Sequence, residues 1–155
     1  MPKGSQQLTN ARKKEIIDAC ASLYKTMSFK EITMKDIATA TSFTRTSIYN
    51  YFQTKEEIFL ALLQREYELW NEKLRQLRAK HENLSATEFA DKLARSLEER
   101  ENLLKLMSMN HYDMEENSRF ERLVEFKSVY GQSLKEVKNC LDQFFPKMSE
   151  QDKQD

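Results

Sequence analysis

Apolar side chains recur along this chain at intervals of three and four residues, which is the spacing of one face of an α-helix. Near the start, Ile16, Cys20, Leu23 and Met27 keep this spacing and predict a helix over residues 9–27. The same pattern predicts further helices over residues 34–40, 45–52, 55–80, 86–99, 101–109 and 119–145. No segment alternates apolar and polar residues as a half-buried strand does. We therefore predict an all-α fold.

Residue pairs that cap helices mark several of these starts. A Ser or Thr followed three residues later by an acidic residue satisfies two of the backbone N–H groups that a helix leaves free at its N-terminus. Such pairs are Thr54 with Glu57, Ser85 with Glu88, Ser118 with Glu121 and, more weakly, Thr33 with Asp36. Pro146 ends the last predicted helix, and we expect the polar residues 149–155 to be disordered.

The scarcity of glycine excludes the common nucleotide-binding loops. The 155 residues include only two glycines, Gly4 and Gly131. Loops of the GxGxxG and GxxxxGK[ST] types need several glycines close together to cradle phosphate groups. The chain can form neither loop, so Rossmann and P-loop chemistry are excluded.

Residues that could bind a metal or support catalysis are few and scattered. Cys20 and Cys140 have no second cysteine or histidine at the spacing of metal ligands, and we expect both in the core. The two histidines, His81 and His111, show no spacing that predicts a nucleophile with its base. We therefore expect no metal, no cofactor and no enzymatic activity.

The sequence shows no membrane or secretion signal. No apolar run reaches the roughly 18 residues of a membrane-spanning helix. The first residues are mostly polar and lack the apolar stretch of a signal peptide. We expect a cytoplasmic protein.

The charges are divided unevenly, although the formal net charge is zero. Residues 1–55 contain nine Lys and Arg against four Asp and Glu, a net charge of +5, and the remainder carries −5. This asymmetry indicates a basic module in residues 1–55 that binds an anionic partner, and an acidic module in the remainder with another role.

Residues 33–52 predict a helix-turn-helix, in which two short helices are separated by residues 41–43. Ile37, Phe43 and Ile48 would pack inward, while the second helix would present its first turn and one face to the major groove of DNA. Its polar face comprises Thr44, Arg45, Thr46, Ser47 and Asn50, together with Tyr49 and Tyr51. These donors and acceptors suit base edges and phosphate oxygens, and the capped start of the next helix, with Lys55, suits a phosphate.

Over residues 11–63, about a third of the chain, the sequence resembles the TetR family of bacterial transcriptional regulators. The segments that carry the resemblance are TMKDIA at 33–38, SIYNYF at 47–52 and TKEE at 54–57. The resemblance implies a three-helix DNA-binding domain, residues 1–55, which a long helix joins to a small helical domain, residues 56–155. It also implies operator DNA as partner, a small effector bound by the second domain, and a homodimer.

The function that this resemblance implies is a sequence-specific DNA-binding transcriptional regulator, a repressor released by its effector. Arg45 is expected to contact a base or a phosphate, and Thr33 caps its helix besides being a candidate for phosphate contact. By resemblance, Tyr49 and Lys55 contact phosphates. Tyr51, Ser47 and Asn50 are further candidates, and both tyrosines could instead be packing residues.

Three positions depart from the family pattern, because Ser28, Ser42 and Thr46 replace family glycines. Ser42 would be strained, by an estimated 1 kcal/mol or so, if the turn requires a positive φ. The side chain of Thr46 would either clash with DNA or contact a thymine methyl group, and we favour the contact. The alternative function is a helical protein-interaction module that kept the fold and lost operator binding.

Aromatic and long apolar residues after the DNA-binding domain are candidates for an effector pocket or simply for the core. The candidates are Trp70, Phe89, Leu93, Met107, Tyr112, Phe126 and Tyr130. We expect a small, largely apolar effector.

Family members usually continue into a further helix pair that forms the dimer interface, whereas this sequence stops at Asp155. Either the second domain is truncated, which we favour, or the helix over residues 119–145 replaces that interface. We expect residues 1–155 alone to be mainly monomeric, or weakly dimeric, and to expose an apolar face with Phe126, Tyr130, Val137 and Leu141.

Overall fold

The computed structural model describes residues 3–109 and 111–155, and within these ranges it contains helices, turns and loops but no strand. Its helices are α1 (Lys3–Tyr24), α2 (Met34–Thr39), α3 (Arg45–Ile48), α4 (Lys55–Lys80), α5 (Ala86–Glu98), α6 (Glu101–Met107), α7 (Tyr112–Glu116), α8 (Phe120–Phe144) and α9 (Glu150–Gln154). The all-α prediction is confirmed.

Two of these helices were not predicted from the hydrophobic pattern. Helix α7 is short and polar, and α9 occupies the tail that the sequence analysis expected to be disordered. That expectation was wrong. The hydroxyl of Ser149 accepts the N–H of Asp152 at 3.1 Å, and the Lys153 ammonium lies 2.6 Å from the Asp142 carboxylate, so a cap and an ion pair order the tail.

The first compact unit comprises Met1–Leu63 with Met109–Leu123, as far as these ranges are described. Helices α1, α2 and α3 pack around the buried side chains of Ile16, Ile37 and Ile48. The rings of Tyr24 and Phe29 pack edge-on against Phe59 of α4, at centroid distances of 5.1 and 4.8 Å. This core fixes α2, α3 and the start of α4, which carry the predicted DNA-binding residues.

The second compact unit comprises Gln64–Ser108 with Val124–Asp155. Within it, the indole N–H of Trp70 on α4 donates to Ser96 Oγ on α5 at 2.9 Å. The guanidinium groups of Arg75 and Arg78 on α4 lie 3.2 and 3.3 Å from the buried carboxylate of Glu136 on α8. The domain boundary predicted between residues 55 and 56 stays a prediction. The two units are groups of residues that pack together, and such packing does not test where one domain ends and the next begins.

The caps agree with the predictions at some helices and not at others. Thr33 with Asp36 and Ser85 with Glu88 form complete capping boxes. Thr54 accepts the N–H of Glu57 at 3.1 Å, but the Glu57 carboxylate accepts the N–H of Gln53 instead of closing the box. The box predicted at Ser118 was wrong, because its hydroxyl donates to the Met114 carbonyl at 2.7 Å.

The exposed apolar face of α8 differs from the predicted one. Phe126 is buried and Val137 and Leu141 are half-buried, because this side of the helix packs within the second unit; of the predicted four, only Tyr130 is exposed. The face left open carries Val124 and Leu134, which are 50% and 58% exposed.

Along the described ranges, no helix combines the length and apolar character that crossing a membrane requires.

Candidate nucleic-acid interface

Helices α2 and α3 are joined by a turn that local hydrogen bonds close. The hydroxyl of Thr41 donates to the Ala38 carbonyl at 2.8 Å and accepts the N–H of Phe43 at 3.1 Å. Thr44 then caps α3, because its hydroxyl accepts the N–H of Ser47 at 3.2 Å. The turn thus ends α2 and starts α3 within a few residues, as a helix-turn-helix requires.

Ser42 in this turn is unstrained. No described residue other than glycine has a positive φ, so the turn does not require the left-handed conformation for which a glycine would be needed. The N–H of Ser42 donates to Glu15 Oε1 at 2.8 Å, and its hydroxyl donates to Glu15 Oε2 at 3.2 Å. The expected strain is therefore absent, and the Glu15 carboxylate on α1 holds the turn through the serine.

The first turn of α3 presents polar side chains to solvent. Thr44, Arg45, Thr46, Tyr49 and Asn50 are exposed, and Ser47 is half-buried beside its bond to Thr44. Ile48 is fully buried and anchors the helix in the core. The structure therefore gathers the predicted residues 44–50 on one open surface, with Tyr49 43% exposed.

Tyr51 is half-buried at the end of this segment, and its hydroxyl accepts a hydrogen bond from Arg12 Nη1 at 3.0 Å. The Arg12 guanidinium also lies 5.9 Å from the centre of the Phe43 ring. Sequence reasoning did not find Arg12, because no local pattern links it to a tyrosine 39 positions later.

Lys55, at the start of α4, is held by the loop after α1. Its ammonium donates to the Phe29 carbonyl at 2.8 Å and lies 4.2 Å from the centre of the Phe29 ring. Because an ammonium has three donors, this contact fixes the position of Lys55 and leaves donor capacity for a phosphate. Thr33 is exposed at the start of α2, where its side chain caps the helix.

A buried ion pair underlies the end of the interface. The Glu57 carboxylate, 1% exposed, accepts hydrogen bonds from Arg119 Nε at 2.9 Å, from Arg119 Nη2 at 2.9 Å and from the Arg119 backbone N–H at 2.8 Å. It also accepts the N–H of Gln53 at 2.9 Å. The local sequence pattern predicted only a capping role for Glu57, because a partner 62 positions away leaves no local signal.

Two arginines of this region also reach the backbone at the end of the helix-turn-helix. Arg119 Nη2 donates to the Tyr51 carbonyl at 3.2 Å, and Arg122 Nη2 donates to the same oxygen at 3.4 Å. The Arg122 guanidinium lies 5.5 Å from the centre of the Phe52 ring. Nearby, the Thr54 hydroxyl donates to the Asn117 carbonyl at 2.9 Å. These contacts hold residues 51–54 in place through both their backbone and their side chains.

The environment of Glu57 lowers the pKa of its carboxyl group. Burial by itself raises that pKa, because it disfavours the charged form, but the hydrogen bonds and charge of Arg119 and the N–H of Gln53 outweigh it. The ionised carboxylate is thus the form that the folded protein stabilises.

The predicted effector residues fall into separate groups. Phe126 stacks with Tyr130 at 6.1 Å between ring centroids, and Phe89 packs against the rings of Phe144 and Phe145. The remaining members are Trp70, which is buried and bonded to Ser96, Leu93, which is half-buried, and Met107 and Tyr112, which are exposed. Six of the seven lie in the second unit, in more than one cluster, and Tyr112 lies in the first unit.

A groove of about 260 Å³ lies within the second unit, between α4 and α5. It is lined by Lys73, Leu74, Gln76, Leu77, Lys80, His81, Lys92, Arg95, Ser96 and Glu99. None of the predicted effector residues lines this groove, and its rim is basic instead of apolar. Among the described residues, no cluster of three or more His, Cys, Asp or Glu side chains could hold a metal ion.

Two family models match this chain and together span most of it. Residues 16–62 match the model of bacterial regulatory proteins of the tetR family. Residues 64–155, more than half of the chain, match the model of the tetracyclin repressor-like C-terminal domain.

Individual proteins are similar over different lengths. An uncharacterised HTH-type transcriptional regulator of Bacillus subtilis, YfiR, is 32% identical over 63 residues, which are 41% of this chain and only 31% of that protein. The fatty acid degradation regulator FadR from Bacillus halodurans has a similar structure, with a TM-score of 0.62, 18% identity, and coverage of 89% of this chain and 73% of its own. A structure from Mesorhizobium loti, described as TetR-family, has a TM-score of 0.61 and 18% identity, covering 87% of this chain and 68% of its own.

The lowered pKa of Glu57 predicts a pH-dependent contribution to stability. Because the folded-state pKa lies below the unfolded one, the contribution is present above about pH 4.3, the ordinary pKa of Glu. It is lost as the pH falls through the lowered value. We expect Glu57→Gln to reduce the free energy of unfolding by about 2 kcal/mol at pH 7, and the difference from wild type to shrink as the pH falls below about 4.

Urea denaturation over a pH series measures this difference. Glu56→Gln on the same helical turn is the matched control and should stay close to wild type throughout. A Glu57→Gln deficit that did not change between neutral and acidic pH would contradict this account of the ion pair.

Proposed function

The chain belongs to the TetR family of transcriptional regulators, and on this premise we propose that it is a repressor that binds operator DNA and is released by a small effector. The observation that carries the proposal is the row of exposed polar side chains over residues 44–50, on a short helix anchored by buried Ile48. Since DNA is the proposed partner, the proposal places the protein in the cytoplasm.

We assign base reading and phosphate contact to different side chains. Arg45 and Thr46, in the exposed first turn of α3, would read bases, the arginine by bidentate donation to guanine and the threonine by contact with a thymine methyl. Tyr49, Tyr51, Lys55 and the capping threonines, Thr33 and Thr44, would contact phosphates, with Ser47 and Asn50 as further candidates at the surface. Support comes from the exposure of most of these groups and from the net charge of +5 in residues 1–55.

The proposed regulator acts as a homodimer, because each recognition helix reaches only a few base pairs and two half-sites give specificity. The exposed face of α8 supports this. Val124, Gly131 and Leu134 share one side of the helix, and a Cβ added to Gly131 would meet nothing within 4 Å. A glycine inside an exposed helix costs about 1 kcal/mol relative to alanine, and it would let a second copy approach the backbone closely.

The second unit is the proposed place of the effector. Its tetracyclin repressor-like family model and its aromatic groups support this role, although the predicted residues lie in separate clusters. An effector that lowers the affinity for DNA must, by linkage, bind the DNA-bound protein more weakly by the same factor.

The division between base and phosphate contacts predicts two different mutant profiles. Arg45→Ala should relax the preference at one base pair and cost about 1 to 3 kcal/mol there, because a base contact is lost. Lys55→Met keeps the stem over the Phe29 ring but removes the charge. It should weaken binding to all duplexes alike and reduce the slope of log K against log salt by about 1.

Fluorescence anisotropy with a selected duplex and its single-base variants, at several salt concentrations, separates the two profiles. The same sequence profile in both variants would show that the roles are assigned wrongly.

The exposed α8 face predicts concentration-dependent self-association. Leu134→Asp places a charge on this face and should shift the protein towards monomer in sedimentation velocity over a micromolar concentration series. Leu104→Asp, which changes a leucine of comparable exposure on α6, is the control. Equal association of wild type and Leu134→Asp would exclude this face as the interface.

The effector proposal predicts a stabilising ligand among small, largely apolar compounds. A compound present at 100 times its Kd should raise the free energy of unfolding by about 2.7 kcal/mol and therefore raise Tm in a thermal-shift screen. The same compound should release DNA. Failure of every compound that stabilises the protein to alter DNA affinity would count against an effector of this kind.

A further inference from the structure

We propose that Arg119 and Arg122 are positioning residues for DNA binding, which hold Tyr51 and the end of the recognition helix in the orientation that meets DNA. Neither arginine lies in the helix-turn-helix: Arg119 directly precedes α8, and Arg122 lies in the first turn of that helix. The inference rests on the proposed function, because it explains how the proposed DNA surface is held.

The position of Tyr51 depends on bonds at both ends of the residue. Its hydroxyl accepts from Arg12, and its carbonyl accepts from both Arg119 and Arg122 at 3.2 and 3.4 Å. Helix α3 itself ends at Ile48, and the turn bonds that follow it use the N–H groups of Asn50, Tyr51 and Phe52 but leave the Tyr51 carbonyl to other donors. The two guanidinium groups therefore supply much of the polar support at the Tyr51 carbonyl.

A guanidinium is the group that this site requires. Arg119 Nε and Nη2 both donate to the Glu57 carboxylate, while Nη2 also donates to the Tyr51 carbonyl. A planar fork of fixed donors can serve both acceptors at once, whereas a lysine ammonium is a point charge on a flexible stem. Through Glu57, the same arginine also fixes the N–H of Gln53.

The two arginines connect the end of the helix-turn-helix to the beginning of α8. Helix α8 is continuous from Phe120 to Phe144, and its residues up to Leu123 pack in the same compact unit as the helix-turn-helix. Any displacement of the first turn of α8 therefore changes the donors at the Tyr51 carbonyl.

The test compares three variants of the whole chain. Arg119→Lys keeps the positive charge but removes the planar guanidinium with its fixed donors. Arg122→Met is a milder second variant in case the first is poorly folded. Arg100→Met is the matched control, because Arg100 pairs at 3.5 Å with the buried Glu66 within the second unit.

Two measurements are made at a temperature at which every variant is folded. The first is the affinity for a duplex that wild type selects from a random library, and we expect Arg119→Lys and Arg122→Met to bind about tenfold more weakly, equivalent to about 1.4 kcal/mol. The second is amide hydrogen exchange without DNA. Exchange should accelerate at residues 50–53 in these two variants and stay at the wild-type rate there in Arg100→Met.

The exchange measurement separates this inference from the proposed function. Wild-type protein that selects no duplex would refute the proposed function, while local acceleration at residues 50–53 would still support the positioning contact. Exchange that rises uniformly through the first unit, or does not rise at residues 50–53, would overturn the positioning role and leave a general contribution to stability.

Discussion

The stability of the first compact unit depends on the carboxylate of Glu57. A buried carboxylate costs several kcal/mol unless a charge and hydrogen bonds compensate it. Here Arg119 provides two side-chain donors and one backbone donor, and Gln53 provides a fourth. The ion pair therefore stabilises the arrangement in which the first turn of α4, the end of the helix-turn-helix and the start of α8 lie together.

Contacts with neighbouring elements also give the very short helix α3 a defined geometry. Helix α3 spans four residues, and isolated helices of that length are not stable in water. Its position is imposed from outside, by the buried side chain of Ile48, by the Thr44 cap and by Glu15 beneath the turn at Ser42. The residues on its outer face, most of them exposed, are therefore available for a ligand.

The sequence predicted the parts of the structure that local chemistry determines. The cap at Thr33, the cap at Ser85 and the length of α4 follow from residues within a few positions of one another. The exposed polar surface over residues 44–50 could be predicted because its residues also lie within a few positions of one another.

The supporting contacts could not be predicted in this way. Arg12 is 39 positions from Tyr51, and Arg119 and Arg122 are 68 and 71 positions from it. Pairs at such separations have no periodicity, and the many charged residues of the chain offer numerous alternative partners. The tail was misjudged for a related reason, since the ion pair of Lys153 with Asp142 joins the tail to the end of α8, and the local composition of the tail alone is typical of a loop.

Selection of duplexes from a random library by the whole chain, followed by sequencing, tests the central claim most directly. If the surface over residues 44–50 reads bases, the retained duplexes should share a motif of two inverted half-sites, with centres about 10 base pairs or a multiple apart. Retained duplexes that share no motif, and bind no better than the starting library, would contradict the account.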